Sequence, residues 1–107
     1  MFVRIVECQA RPGRREQVSH KVNTALLPIL QEQPGFVDFV ALADRSDAER
    51  LLCVSFWTSQ EDAAHYHQQH YETIANLLAP VLEGPPTLET FAVNTSTSHR
   101  LAIDRAA

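Results

Sequence analysis

The chain has 107 residues, enough for one domain with one core, and carries a formal charge of −4 at pH 7. That charge, with no basic stripe beyond the local Arg11, Arg14 and Arg15 cluster, argues against a nucleic-acid partner; no apolar run reaches membrane-span length, and Met1-Phe2-Val3-Arg4 lacks the layout of an export signal. Cys8 and Cys53 are the only cysteines, expected to be reduced and buried in a cytoplasmic protein.

Phe2 to Ala10 is rich in β-branched and apolar residues and runs into Arg11-Pro12-Gly13, which predicts a strand and a turn. A helix follows from about Arg15 to Gln33, its stripe being Val18, Val22, Ala25, Leu26, Ile29 and Leu30. Pro28 removes one backbone hydrogen bond and is expected to kink the last turn, and Pro34-Gly35 stops the helix. Phe36 to Ala43 reads as a second strand and Asp44 to Arg50 as a polar turn. Leu51 to Trp57 is a third strand, apolar enough throughout to be central. Thr58 and Ser59 each precede an acid by three residues, Glu61 and Asp62, and so offer two N-caps for a second helix that runs to about Leu82. Gly84-Pro85-Pro86 closes it, and Thr87 to Val93 is a fourth strand. Asn94 to Ala107 is a polar tail ending in Leu101 and Ile103, expected to lie across a partner subunit.

The order β-α-β-β-α-β, with Leu26-Leu27-Pro28-Ile29-Leu30 echoed by Leu77-Leu78-Ala79-Pro80-Val81-Leu82, predicts a split βαβ unit used twice. That is a ferredoxin-like α+β fold, a four-stranded antiparallel sheet with two helices on one face. The strands are nevertheless apolar on both sides: Val3 and Ile5 against Phe2 and Val6; Val37 and Phe39 against Phe36, Val40 and Leu42; Leu52, Val54 and Phe56 against Leu51, Cys53 and Trp57. One helical layer leaves the other face bare, so a homodimer closed sheet face on sheet face is expected.

The richest chemistry lies in His65, Tyr66, His67, His70 and Tyr71 on the second helix. Extending the stripe of Ile74, Leu77, Leu78, Val81 and Leu82 backwards at roughly 100° per residue puts His67 near its centre. His70 and Tyr71 fall on the flanks, Tyr66 at one edge and His65 on the solvent face. Burying such groups costs a few kcal/mol each unless they find partners. They are therefore either satisfied core side chains or the wall of a small polar-aromatic pocket. Cys53, Ser55 and Trp57 share one face of the third strand. If that face meets the second helix they complete the pocket; if it meets a partner subunit, Trp57 anchors the dimer. His67 and His70 allow two metal ligands on one helix face, but nothing fixes a third, so no metal is expected. Without a glycine-rich phosphate loop, no nucleotide cofactor is expected either.

The Pro12-Gly13 turn, Pro28 late in the first helix, Pro34-Gly35-Phe36, Trp57 with Ser59 behind it, and His70-Tyr71 thirteen and fourteen residues after that Trp form an ordered set. In this set the chain resembles the antibiotic biosynthesis monooxygenase-like family of dimeric α+β barrels, over residues 2–93. The resemblance implies a cofactor-independent oxygenase or related proton-transfer enzyme acting on a small aromatic or quinone-like compound. The match is partial. An Asn four residues before the pocket Trp is Cys53 here, a helix Tyr six residues after it is Ala63, and Tyr66 stands one turn on. The two haem landmarks of haem-degrading relatives fall on Asn76 and near Val6, which argues against haem. Cofactor-free oxygenation needs a base, donors for an oxyanion and a dry pocket. His70 and His67 are the candidate bases, the family match favouring His70. Tyr66 or Tyr71 is the donor, and Trp57 a surface on which a flat substrate stacks, with Cys53 and Ser55 beside it. The competing reading is a non-catalytic homodimer of the same fold that binds a small apolar ligand. A cavity lined by His67, His70 and Trp57 would favour the enzyme.

Overall fold

The first strand shows how this sequence builds two faces. In a computed structural model that describes residues 1–98, β1 (Phe2–Gln9) pairs antiparallel with both β3 (Arg50–Trp57) and β4 (Thr87–Ala92), while β2 (Phe36–Ala43) pairs antiparallel with β3. The strand order is β2-β3-β1-β4, the ferredoxin-like arrangement expected from the chain. Side chains alternate across the pleat. Cys8, Leu51, Cys53 and Trp57 are therefore buried toward the helices. Ile5, Val54 and Val40 lie opposite one another on the other face.

The first helix spans residues 15–31 in three pieces: α-helical Arg15–Lys21, a π-helical turn Val22–Leu26, and α-helical Leu27–Gln31. The wide turn has an evident cause. Pro28 has no N–H to give and its ring collides with the carbonyl four residues back, and the Leu27 N–H reaches Val22 O instead. The expected kink is thus an expanded turn. It also serves packing. The buried residues Val18, Val22, Leu26 and Leu30 are spaced strictly by four, which drifts by about 40° per step in a regular α-helix. A wider turn takes part of that drift back.

The second helix, Gln60–Leu78, is capped by Ser59, whose side chain accepts the Asp62 N–H at 3.2 Å. Of the two N-caps the sequence offers, this is the one used; Thr58 instead gives its hydroxyl to Asp62 Oδ2 at 2.8 Å. Regular helix stops at Leu78 because Pro80 cannot continue it, and a 3-10 turn Ala79–Val81 follows, so the helix ends short of Leu82. Gly35 takes φ +79° against the Asp62 side chain, where any Cβ would collide, and its carbonyl accepts the Thr58 N–H at 2.8 Å. This ties the start of β2 to the end of β3 and to the entry of the second helix.

One strand departs from the expected alternation. A bulge between Phe36 and Asp38 inserts Val37, so Phe36 shares the helix-side face with Phe39. Phe36 then packs edge-on against Trp57, ring centroids 5.7 Å apart. The open face keeps Val40, Leu42 and Phe91 at 41–49% exposure, a bare apolar sheet surface. Val93 extends the sheet with one bond to Met1 O, and residues 94–98 have neither helix nor strand. Most of the tail expected to cross a partner, including Leu101 and Ile103, lies outside the described residues. Among those described, no helix is long and apolar enough to cross a membrane.

Candidate functional site

Arg4 is the residue on which the site turns. It lies in the middle strand pair, across from Ser55 on β3 and Thr90 on β4, and is only 4% exposed. Among the described residues no carboxylate pairs with it. Its neighbours are neutral. The guanidinium carbon lies 5.1 Å from the centre of the Tyr66 ring and 5.8 Å from that of Tyr71. Nη2 is 3.0 Å from His67 Nδ1. Since Arg has no acceptor, it donates there, and the His67 proton must sit on Nε2. Burial lowers the Arg4 pKa, yet an arginine remains charged at any working pH. The result is a buried cation with no countercharge among the described residues.

That cation sets the protonation of its neighbours. Burial, and then Arg4, hold His67 below its usual value, so the ring is neutral near pH 7. Burial raises both Tyr66 and Tyr71, with Arg4 opposing, so both phenols keep their protons. His67 stacks on Tyr71, ring centres 4.4 Å apart. Cys8 and Cys53, both free and buried, stand on the same sheet face, and their contact with each other together with burial pushes the Cys53 thiol well up.

Two spaces meet at Arg4. Between the second helix and the sheet is an apolar cavity with about 40 Å³ open to water centres, walled among others by Val6, Leu26, Ile74, Tyr66, Tyr71, Cys53 and Ser55. That is room for about three waters. On the other side, an outer groove of about 260 Å³ runs past Phe2, Ala63, Ala64, His67 and Leu88, with Gln60, Gln68 and Thr90 adding polar groups. Arg4 lines both.

The residues singled out from sequence separate into three groups. Tyr66, Tyr71, Cys53 and Ser55 line the inner cavity, and His67 lines the outer groove. His70 turns away, its Nε2 3.3 Å from Gln33 Nε2. The same Gln33 nitrogen donates to Ile29 O, which fixes the amide so that its other proton faces His70. Both imidazoles thus have a lone pair engaged by a side-chain donor, and they do not converge. Trp57 faces the helices, which decides against a dimer anchor, but it lines neither of these two spaces. It is fully buried, 5.2 Å from Tyr66 ring to ring, and gives its indole N–H to Ser55 Oγ at 2.9 Å. The cavity expected between His67, His70 and Trp57 is therefore centred on Arg4 and the tyrosines instead.

The helix phase explains the shift. Tyr66 is buried and His67 only half-buried because the buried face turns along the helix: Ala63 and Tyr66 are centred about 70° from the direction of Ile74 and Leu78, and His67 lies in the latter direction. Projection from the C-terminal stripe points to His67, whereas at the N-terminal end of the helix burial has turned toward Ala63 and Tyr66. Arg4 was legible in one respect only: it has the same parity on β1 as Val6 and Cys8, so any strand facing the helices there must bring it inside.

Residues 1–77 match the sequence profile described as antibiotic biosynthesis monooxygenase. The chain belongs to the antibiotic biosynthesis monooxygenase family. Solved structures with the family fold include a Nitrosomonas europaea protein of unknown function, at 18% identity and TM-score 0.76 over 92% of this chain and 94% of that one. SnoaB, a cofactor-independent oxygenase from Streptomyces nogalater, is 16% identical with TM-score 0.71, over 92% of this chain and 97% of its own. Rv0793 from Mycobacterium tuberculosis is 16% identical with TM-score 0.73, over 91% and 98%. At these identities the likeness carries the fold. No match is found among curated proteins.

Proposed function

We propose that this chain is a cofactor-independent monooxygenase, or a proton-transfer enzyme of the same kind, acting on a small aromatic or quinol-like compound. The observation that carries the reading is the buried guanidinium of Arg4, faced among the described residues by two protonated phenols and a neutral imidazole, where an apolar cavity meets an outer groove. A preorganised cation and phenol donors in a dry site stabilise an oxyanion that forms during reaction. A substrate oxygen that takes up Arg4 releases His67 Nδ1 from it, and the freed lone pair can then accept the proton. His70, held by Gln33, is assigned no step. For an anthrone-type substrate the atoms and electrons balance. His67 removes one proton from the ring CH2, and the carbanion passes electrons to dioxygen and joins it as a hydroperoxide. Loss of water then leaves the ketone. The inner cavity has the size for dioxygen, and the aromatic body lies in the outer groove.

Oxygen uptake with anthrone- and quinol-type compounds tests this. Tyr66→Phe and His67→Ala are each expected to slow uptake by about 100-fold. No uptake, or uptake unchanged by both substitutions, ends the oxygenase reading and leaves a ligand-binding homodimer of this fold.

The open sheet face supports the proposed homodimer. Val54 sits at its centre, flanked by Ile5 and Val40. The protein is expected to sediment as a dimer and Val54→Asp as a folded monomer, because a lone carboxylate buried between two sheets costs several kcal/mol. A monomeric wild type, or a Val54→Asp variant of unchanged mass, would refute sheet-on-sheet pairing.

A further inference from the structure

Granted the site proposed above, on which this ligand assignment rests, the charge on Arg4 says more about the guest than that it is aromatic. A guanidinium has five N–H donors in a planar fork. Among the described residues its one geometrically clear hydrogen bond is the 3.0 Å contact to His67 Nδ1, with the Tyr66 hydroxyl as a second polar neighbour. The remaining N–H groups are not sealed into packing, since no Arg4 nitrogen is both fully buried and unpartnered. They reach the two spaces that Arg4 lines. A largely buried cation with no countercharge among the described residues is expensive to keep, and a bound anion removes that expense.

Shape narrows the anion. The inner cavity, about 40 Å³, admits no ring. The body of a ligand must therefore lie in the outer groove, against Phe2, Ala63, Ala64 and Leu88, with its charged end turned inward to Arg4. The groove sets apolar Phe2, Ala63, Ala64 and Leu88 among neutral Gln60, Gln68 and Thr90, and Arg4 is the one charged group of its lining. We infer that this site binds a small flat aromatic acid, its carboxylate held by the Arg4 fork in the place where His67 Nδ1 now sits, with the His67 ring turned aside. A carboxylate matches two parallel N–H donors of a guanidinium, which a phenol or an amide cannot do.

The test is a calorimetric titration of the whole protein with benzoate and with benzamide, a neutral compound of the same outline. Benzoate is expected to bind at least 10-fold more tightly than benzamide to the wild type. Arg4→Met should abolish that preference, and Arg4→Lys, which keeps the charge but not the fork, should retain only part of it. Should Arg4→Met fail to fold, the Arg4→Lys titration and the wild-type pair still decide. Equal binding of the two compounds, binding of neither, or a preference that survives in folded Arg4→Met overturns the inference. Oxygen uptake is read separately. Benzoate preference without uptake from any quinol removes the oxygenase reading and leaves the acid site standing; uptake without benzoate preference does the reverse.

Discussion

Replacing Arg4 with Met is expected to raise the melting midpoint while lowering oxygen uptake by about 100- to 1,000-fold. The two effects have one cause. Among the described residues the buried guanidinium has neutral partners only, so its desolvation is poorly repaid, and an apolar side chain of similar length fits the same space. Exchanging buried ionic groups for packed apolar ones can stabilise a protein by about 1–4 kcal/mol. Against this, the substitution leaves His67 Nδ1 without its donor. His67 is half-buried at the groove and can turn to water, so the loss there is small. A net gain of about 1 kcal/mol is a rise of about 5 °C in a domain of this size. Circular dichroism melts and uptake rates, measured on the same preparations, check both halves. A melting point well below wild type would make Arg4 a structural strut, and unchanged uptake would remove it from the reaction.

Trp57→Ala should have the opposite character, a large loss of stability. Trp57 is the largest fully buried side chain. It packs edge-on to Phe36, faces Tyr66 at 5.2 Å and ties its N–H to Ser55. Truncation removes this contact area, leaves a cavity and strips Ser55 Oγ of its donor. Such changes cost about 3–5 kcal/mol, a large part of the about 5–15 kcal/mol that holds a typical domain. Trp57→Phe keeps most of the volume and should lose much less. Urea unfolding midpoints separate the two. A Trp57→Ala variant within about 1 kcal/mol of wild type would show that the ring is not what joins the helices to the sheet at this end.

The element order, a helix cap at Thr58 or Ser59 and the shared face of Cys53, Ser55 and Trp57 were all legible in the sequence, because each depends on local periodicity or a local hydrogen bond. Three features were not. The face of Phe36 depends on a one-residue bulge, and nothing in Phe36-Val37-Asp38 marks the extra residue. The phase of the second helix is misread when its C-terminal stripe is carried back to the first turns, where burial has turned toward Ala63 and Tyr66. Arg4 escapes notice because a charge in a strand is read as a surface group by default. Its parity with Val6 and Cys8 points inward, but only the packed helices show that, among the described residues, no carboxylate comes with it. Candidate bases can be picked by residue type; which lone pairs are already taken requires the positions of Arg4 and Gln33.

The junction at Gly35 has a kinetic consequence. With its carbonyl on the Thr58 N–H and its α-carbon against Asp62, the first turns of the second helix are pinned to two strand ends and cannot swing out as a lid. A guest reaching Arg4 must pass by rotation of the half-exposed His67 side chain. Such rotamer changes take nanoseconds, whereas hinged domains take microseconds to milliseconds. Admission here should thus be governed by diffusion and by the exchange of hydrogen-bond partners, not by a slow opening of the backbone.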